Sequence, residues 1–142
     1  MVIIEGKEFP DDLYFHRDHM WVKVEGENVR LGYNSWAMEQ AGKLVNLNTR
    51  KVGRSVKAGK TLGTVESGKW VGPLKSPVGG EILEINQEVL KSPSIINDDP
   101  YGAGWIAVIA PNDLEGDLKG LISGSDAESI IVWIDDEKKK NL

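Results

Sequence analysis

The stretch GTVESGKWVGPL, residues 63 to 74, places one cation, Lys69, in a β-patterned run between Gly68 and Trp70. An ε-amine can serve as nucleophile, as base or as a point of covalent attachment, and its surroundings decide which. A solvated lysine keeps a pKa near about 10.4, and nucleophilic use requires burial or a neighbouring cation. Beside Lys69 the sequence offers only Glu66, Ser67 and Trp70. The pattern favours a tether over a catalytic amine. Gly68 admits a left-handed turn without a Cβ penalty, which predicts Lys69 at the apex of a tight hairpin, its side chain projecting away from the body. The plain alternative is a turn lysine that is simply solvated.

Other chemistry is poorly supported. His16 and His19 are three residues apart, but without a third ligand of fitting type they make a weak metal signal, and no metal is expected. Asp98 and Asp99 are adjacent; on an extended segment neighbours point to opposite faces, so a turn before Pro100 is the better reading than paired acid–base carboxylates. No G-x-G-x-x-G run or Walker lysine occurs, which argues against a nucleotide enzyme. Cysteine is absent, removing disulfides, thiolate zinc ligands and a cysteine nucleophile. With 17 basic against 22 acidic residues and a net charge of −5, nucleic acid is not an expected partner. No segment reads as a signal peptide or membrane span, so a cytoplasmic protein is expected.

The 142 residues suit one domain able to bury roughly two thirds of its unfolded surface. Most segments read as short strands. HMWVKVEG and NVRLGY flank a hairpin turn at Glu25-Gly26-Glu27-Asn28. Short helices are predicted at Ser35 to Ala41, with Asn34 or Ser35 as N-cap and Gly42 as the stop, and at Gln87 to Lys91. After Pro111 two helices are read, the second behind a Ser125-x-x-Glu128 capping box; SIIVWI alone could also be a strand. SVKAGKTLGTVES and SPVGGEILEINQEV echo each other, suggesting two strand units packed face to face with the lysine hairpin at one end. Trp21, Trp36, Trp105 and Trp133 read as core or interface residues.

Five colinear segments, RDHMWVKVEG (17–26), LGYNSWAMEQAGKLV (31–45), VGRSVKAGKTLGTVESGK (52–69), SPVGGEILEIN (76–86) and NDDPYGAGWIAVI (97–109), resemble the H-protein family of the glycine cleavage system, the lipoyl carriers. The resemblance implies a mainly β fold, a flattened barrel-sandwich hybrid of the lipoyl/biotinyl-carrier kind with short helices and a helical C-terminus. It implies one lipoyl-carrier domain over 1–142, its β core about 13–110 and its C-terminal helices about 112–140. It further implies lipoate in amide linkage on Lys69 of the Glu-Ser-x-Lys motif, and a carrier that is not itself an enzyme. Glu66, Ser67, Gly68 and Trp70 would frame the attachment and its recognition by a lipoate-attaching enzyme, and His19 would line the cleft receiving the arm. The partners implied are glycine decarboxylase, aminomethyltransferase and dihydrolipoamide dehydrogenase, and the chain is expected to be monomeric. Biotin carriers usually flank their lysine with methionines, which are missing here.

The chain departs from that pattern at Met20, where the family commonly has Glu, and at Trp70, Val71, Gly72 and Pro73, where small, polar and acidic residues are usual. Fewer polar groups around the arm would suit a cationic aminomethyl cargo less and sulfur more. A second cargo reading follows, resemblance to the related lipoate-binding proteins that carry sulfur species for heterodisulfide-reductase-like complexes. A third class is an interaction protein with an unmodified Lys69.

Overall fold

The computed structural model describes residues 1–140; the last two residues of the expected single domain, Asn141 and Leu142, lie outside the described residues. The chain opens with β1 (Val2–Ile4) and β2 (Lys7–Phe9), a separate hairpin, followed by β3 (Tyr14–Phe15), β4 (Met20–Glu25) and β5 (Asn28–Tyr33). Next come α1 (Ser35–Ala41), β6 (Leu44–Thr49), β7 (Ser55–Val56), β8 (Thr61–Ser67), β9 (Val71–Lys75) and β10 (Gly80–Ile85). The remainder is α2 (Gln87–Lys91), α3 (Ser94–Asp98), β11 (Ala107–Pro111), α4 (Leu114–Lys119), β12 (Ile122–Ser123) and α5 (Ala127–Lys140).

Two antiparallel sheets carry the fold. The larger has the order β12-β3-β4-β5-β11-β10-β7 and the smaller β6-β8-β9. Val22, Leu31, Ile82 and Ile109 of the larger sheet meet Leu47, Leu62, Val65 and Leu74 of the smaller in one shared core. The result is the expected mainly β, flattened sandwich. The echo between 55–67 and 76–89 has a structural counterpart: β8 lies in one sheet and β10 in the other, while β7 crosses to pair with β10.

Alternation along β4 builds a second core on the outer face. Met20 and Val22 point into the sandwich, so Trp21 between them points the other way, as the period of a strand requires. There it joins Phe9, Phe15 and Trp36 beneath Ile130, Trp133 and Ile134 of α5. Those three helical residues share one stripe of α5, while Ile131, Val132, Asp135 and Asp136 face solvent. SIIVWI is thus helix. Its 3.6-residue spacing finds an aromatic floor to cover, which decides the case.

The turn and cap signals hold at some positions and not at others. Gly26 adopts φ +66 in the β4–β5 turn, as a two-residue hairpin loop needs. Asn34 caps α1 by accepting from the Ala37 N–H at 2.8 Å, and Gly42 ends that helix at φ +78. The capping box at Ser125 is corrected: Asp126 caps α5, its carboxylate accepting from the Ser129 N–H at 3.2 Å and from the Ser129 hydroxyl at 2.7 Å. Ser125 sits one residue too early, its N–H given to Ser123 Oγ. Asp98 and Asp99 lie at the end of α3 rather than on an extended segment, and Asp99 Oδ2 accepts from the Ala103 N–H to close the following turn.

Candidate functional site

The lysine hairpin joins β8 to β9 through residues 68–70. Ser67 closes it: its N–H donates to the Trp70 carbonyl at 2.7 Å and its Oγ accepts from the Lys69 N–H at 3.3 Å. Ser67 is 4% exposed, so the hairpin is anchored from beneath. Gly68 is not among the left-handed residues, which corrects the expected turn; the serine bridge supplies the reversal, and no positive φ is required. Glu66, on the exposed side, accepts from the Asn46 amide at 2.9 Å across the β6–β8 pair.

Lys69 is exposed, and among the described residues its Nζ has neither a hydrogen-bond partner nor a carboxylate within 4.0 Å. It does not project straight outward as expected. Its stem folds back over Gly42, with Cε 3.2 Å from where a Cβ of residue 42 would lie. Two effects favour this pose. The four-carbon stem covers apolar surface while the ammonium stays wet, and the last turn of α1, which has no basic residue of its own, presents free carbonyls to a cation.

The lysine borders a cleft of about 600 Å³. Trp70 and Pro73 form one wall, Trp36, Ala37, Met38 and Ala41 of α1 the other, with Tyr33 and Lys75 on the strands between. Arg17, Asp18 and His19 enter from the loop before β4, and Glu137 from α5. Trp70 is 43% exposed and lies against Gly72, where a Cβ would meet the indole at 2.5 Å. A second groove, about 710 Å³, lies across α1 between Glu8, Glu39, Asn97 and Tyr101, and Lys69 does not line it.

The departures named from sequence therefore act unevenly. Met20 is 0% exposed in the main core and does not line the cleft, which corrects the expectation that it strips polarity from the arm's surroundings. Val71 faces solvent; only Trp70 and Pro73 border the cleft. Glu137 was missed. It sits in DDEKKK, which reads as a solvated run, and only its position four residues after Trp133, on the buried stripe of α5, signals otherwise.

His19 lines this cleft. It holds φ +74, a left-handed conformation that few side chains adopt, fixed by its N–H donating to the His16 carbonyl at 2.8 Å and its carbonyl accepting from the Asn34 N–H at 2.9 Å. The ring stacks on Trp133, centroids 5.0 Å apart. Because Asn34 Oδ1 is committed to capping α1, its amide nitrogen faces His19 Nδ1 at 3.2 Å; Nδ1 accepts, and the proton lies on Nε2. Nε2 in turn points to Glu137 Oε1 at 3.7 Å.

Burial pulls the His19 pKa below 6.5, with the Glu137 carboxylate opposing in part. A folded histidine that resists protonation binds fewer protons than the unfolded one, so stability rises with pH. Its contribution is complete above about 6.5, the unfolded value, and is lost as pH falls below it. Thermal unfolding followed from pH 7.5 to 5 is expected to show a shallower acid-side loss in His19→Gln than in the parent; parallel curves would exclude the assignment.

The sequence and the fold are shared with known proteins. The family model described as glycine cleavage H-protein matches residues 13–133. The chain is 43% identical over 131 residues to the probable glycine cleavage system H protein 2 of Sulfolobus acidocaldarius, covering 89% of this chain and 87% of that one. It is 36% identical to the glycine cleavage system H protein of Geobacillus kaustophilus, covering 86% and 95%. A crystal structure of a glycine cleavage system H protein from Mycobacterium marinum superposes with a TM-score of 0.75 at 35% identity, covering 84% of this chain and 96% of that one. Since the match starts ahead of His19, passes through the lysine hairpin and ends at Trp133 on α5, the chain belongs to the glycine cleavage H-protein family.

Proposed function

We propose that the chain is a lipoyl carrier whose arm is attached in amide linkage to Lys69, and that it moves a lipoyl-bound intermediate between partner enzymes without catalysing a step itself. The observation that carries this reading is the exposed Lys69 amine, held on a serine-anchored hairpin at the rim of the cleft. An attaching enzyme needs a reachable amine on a rigid body, and Glu66 and Trp70 stand exposed on either side for it to recognise. The cleft fits the group: Trp36, Trp70, Pro73 and Met38 offer apolar surface to a short acyl chain with a sulfur ring. When bound, lipoate supplies a redox-active dithiol on a long flexible tether. The protein's own groups supply the hairpin that presents it and the cleft that shelters it from water and from unintended acceptors.

For cargo, Asp18 and Glu137 favour a cationic aminomethyl group, with glycine decarboxylase, aminomethyltransferase and dihydrolipoamide dehydrogenase as partners. One observation favours the second reading, a sulfur cargo passed to a heterodisulfide-reductase-like complex: the wall of Trp36, Trp70 and Pro73 is apolar and soft where the arm would rest. Intact-mass measurement of protein from lipoate-replete native cells tests the carrier reading. The mass of one lipoyl group, mapped to Lys69, is expected; a wholly unmodified chain would leave only the interaction-protein reading.

A further inference from the structure

The side-chain amide of Asn34 is committed in two directions. Its Oδ1 accepts from the Ala37 N–H at 2.8 Å and caps α1, while its Nδ2 donates to His19 Nδ1 at 3.2 Å. Asn34 is 0% exposed, so water is no substitute partner for this amide. An amide carries its acceptor on one side and its donors on the other. It can turn its oxygen toward Ala37 or toward His19, but not toward both.

Nδ1 accepts only while the imidazole is neutral. In the imidazolium both ring nitrogens carry protons, and Nδ1–H then meets the Asn34 amide donor against donor. The ring has little freedom to withdraw: it stacks on Trp133, and its residue is held at φ +74 by main-chain hydrogen bonds to His16 and Asn34. The amide must therefore turn over, which leaves the Ala37 N–H without its acceptor.

We infer that Asn34 couples the charge of His19 to the N-cap of α1, so that a proton taken up by the ring is matched by release of the cap. A helix of seven residues has few other bonds to hold its first turn, and Trp36, Ala37, Met38 and Ala41 of that helix form one wall of the cleft. The wall is thus proton-sensitive. The coupling needs nothing attached to Lys69 and stands apart from the carrier reading.

The charged groups around the ring act through their fields and give Nδ1 no second acceptor among the described residues. Glu137 on α5 and Asp18 on the loop favour the imidazolium, and His16 opposes it. Arg17, Lys69 and Lys75 line the same cleft as cations, and Tyr33 on β5 stays un-ionised, its pKa raised by burial. These shift the midpoint of the titration; they do not supply the missing oxygen.

The test follows the full-length, isotope-labelled chain by NMR from pH 7.5 to 4.5, reading the His19 ring and the exchange protection of the Ala37 amide after correction for the intrinsic rate. In the parent, protection at Ala37 is expected to fall about fivefold with the midpoint of the His19 ring, the equivalent of one helix cap. Asn34→Asp offers an oxygen to each donor. There the His19 midpoint should rise by about one to three pH units beside the new carboxylate, and Ala37 should stay protected across it. Glu137→Gln separates field from coupling: it lowers the midpoint by removing a carboxylate, yet Ala37 should still follow the ring. A parent Ala37 that keeps its protection while His19 titrates, one that loses it equally in Asn34→Asp, or an Asn34→Asp midpoint no higher than the parent's would each overturn the inference.

Discussion

Lys69→Arg is expected to abolish lipoylation while leaving the fold untouched. A guanidinium stays protonated with a pKa above about 12 and offers no free electron pair for acyl transfer at neutral pH, so no partial modification should survive. The substitution preserves what the side chain does structurally. An arginine stem can still lie across Gly42 and keep a positive charge over the carbonyl end of α1. Exposed and unpaired among the described residues, Lys69 has little else to lose, and the stability change should stay within about 0.5 kcal/mol. Co-expression with a lipoate-attaching enzyme followed by intact mass gives the first readout, and thermal unfolding the second. Lys75→Arg should be modified like the parent; it borders the same cleft but sits outside the turn. Modification persisting in Lys69→Arg would mean that another lysine carries the arm.

Much of this molecule is legible in its sequence because the informative signals are local. Asn34, Gly26 and Gly42 each satisfy a backbone need within a few residues, and all three stand where the turn and cap patterns put them. The site is legible only where it is local too. Lys69 and Ser67 lie in one hairpin, and the Glu-Ser-x-Lys run marks it. The errors come from side-chain direction. Met20 stands where the family commonly has Glu and is expected to border the arm, yet it is the first residue of β4 and its side chain is buried in the main core. Gly68 was given a left-handed role that the serine bridge makes unnecessary. Glu137 is far from the hairpin in sequence; its spacing from Trp133 marks the inner face of α5, but its place beside His19 follows from how that helix docks, a tertiary fact. The helix α3 leaves no local mark because no side chain caps it, whereas the equally short α2 is capped by Asn86.

Trp133→Ala should therefore disturb both stability and site, because one indole joins them. Trp133 is 5% exposed, edge-on to Phe9 at 6.0 Å, 6.3 Å from Phe15 and stacked on His19 at 5.0 Å. Truncating a buried aromatic to alanine costs about 3–5 kcal/mol, a large share of the roughly 5–15 kcal/mol that holds a domain together. For a chain of this size the unfolding midpoint should fall by about 10 °C or more. The loss is apolar: the indole Nε1 is buried without a hydrogen-bond partner among the described residues, so no hydrogen bond disappears with it. Trp133→Phe should then recover much of the loss by restoring the ring against Phe9 and His19, which a role through Nε1 would not allow. The amides of α5 should exchange faster in Trp133→Ala than in the parent, because the helix loses the largest of its three buried side chains and keeps only Ile130 and Ile134 in the apolar layer, with Lys138 paired to Glu5 at its exposed edge. His19, without its stacking partner, should titrate closer to about 6.5 as its ring gains water. A midpoint drop of under about 3 °C, with α5 exchange unchanged, would show that the helix is held by other contacts and that Glu137 owes its position in the cleft to something besides this aromatic anchor.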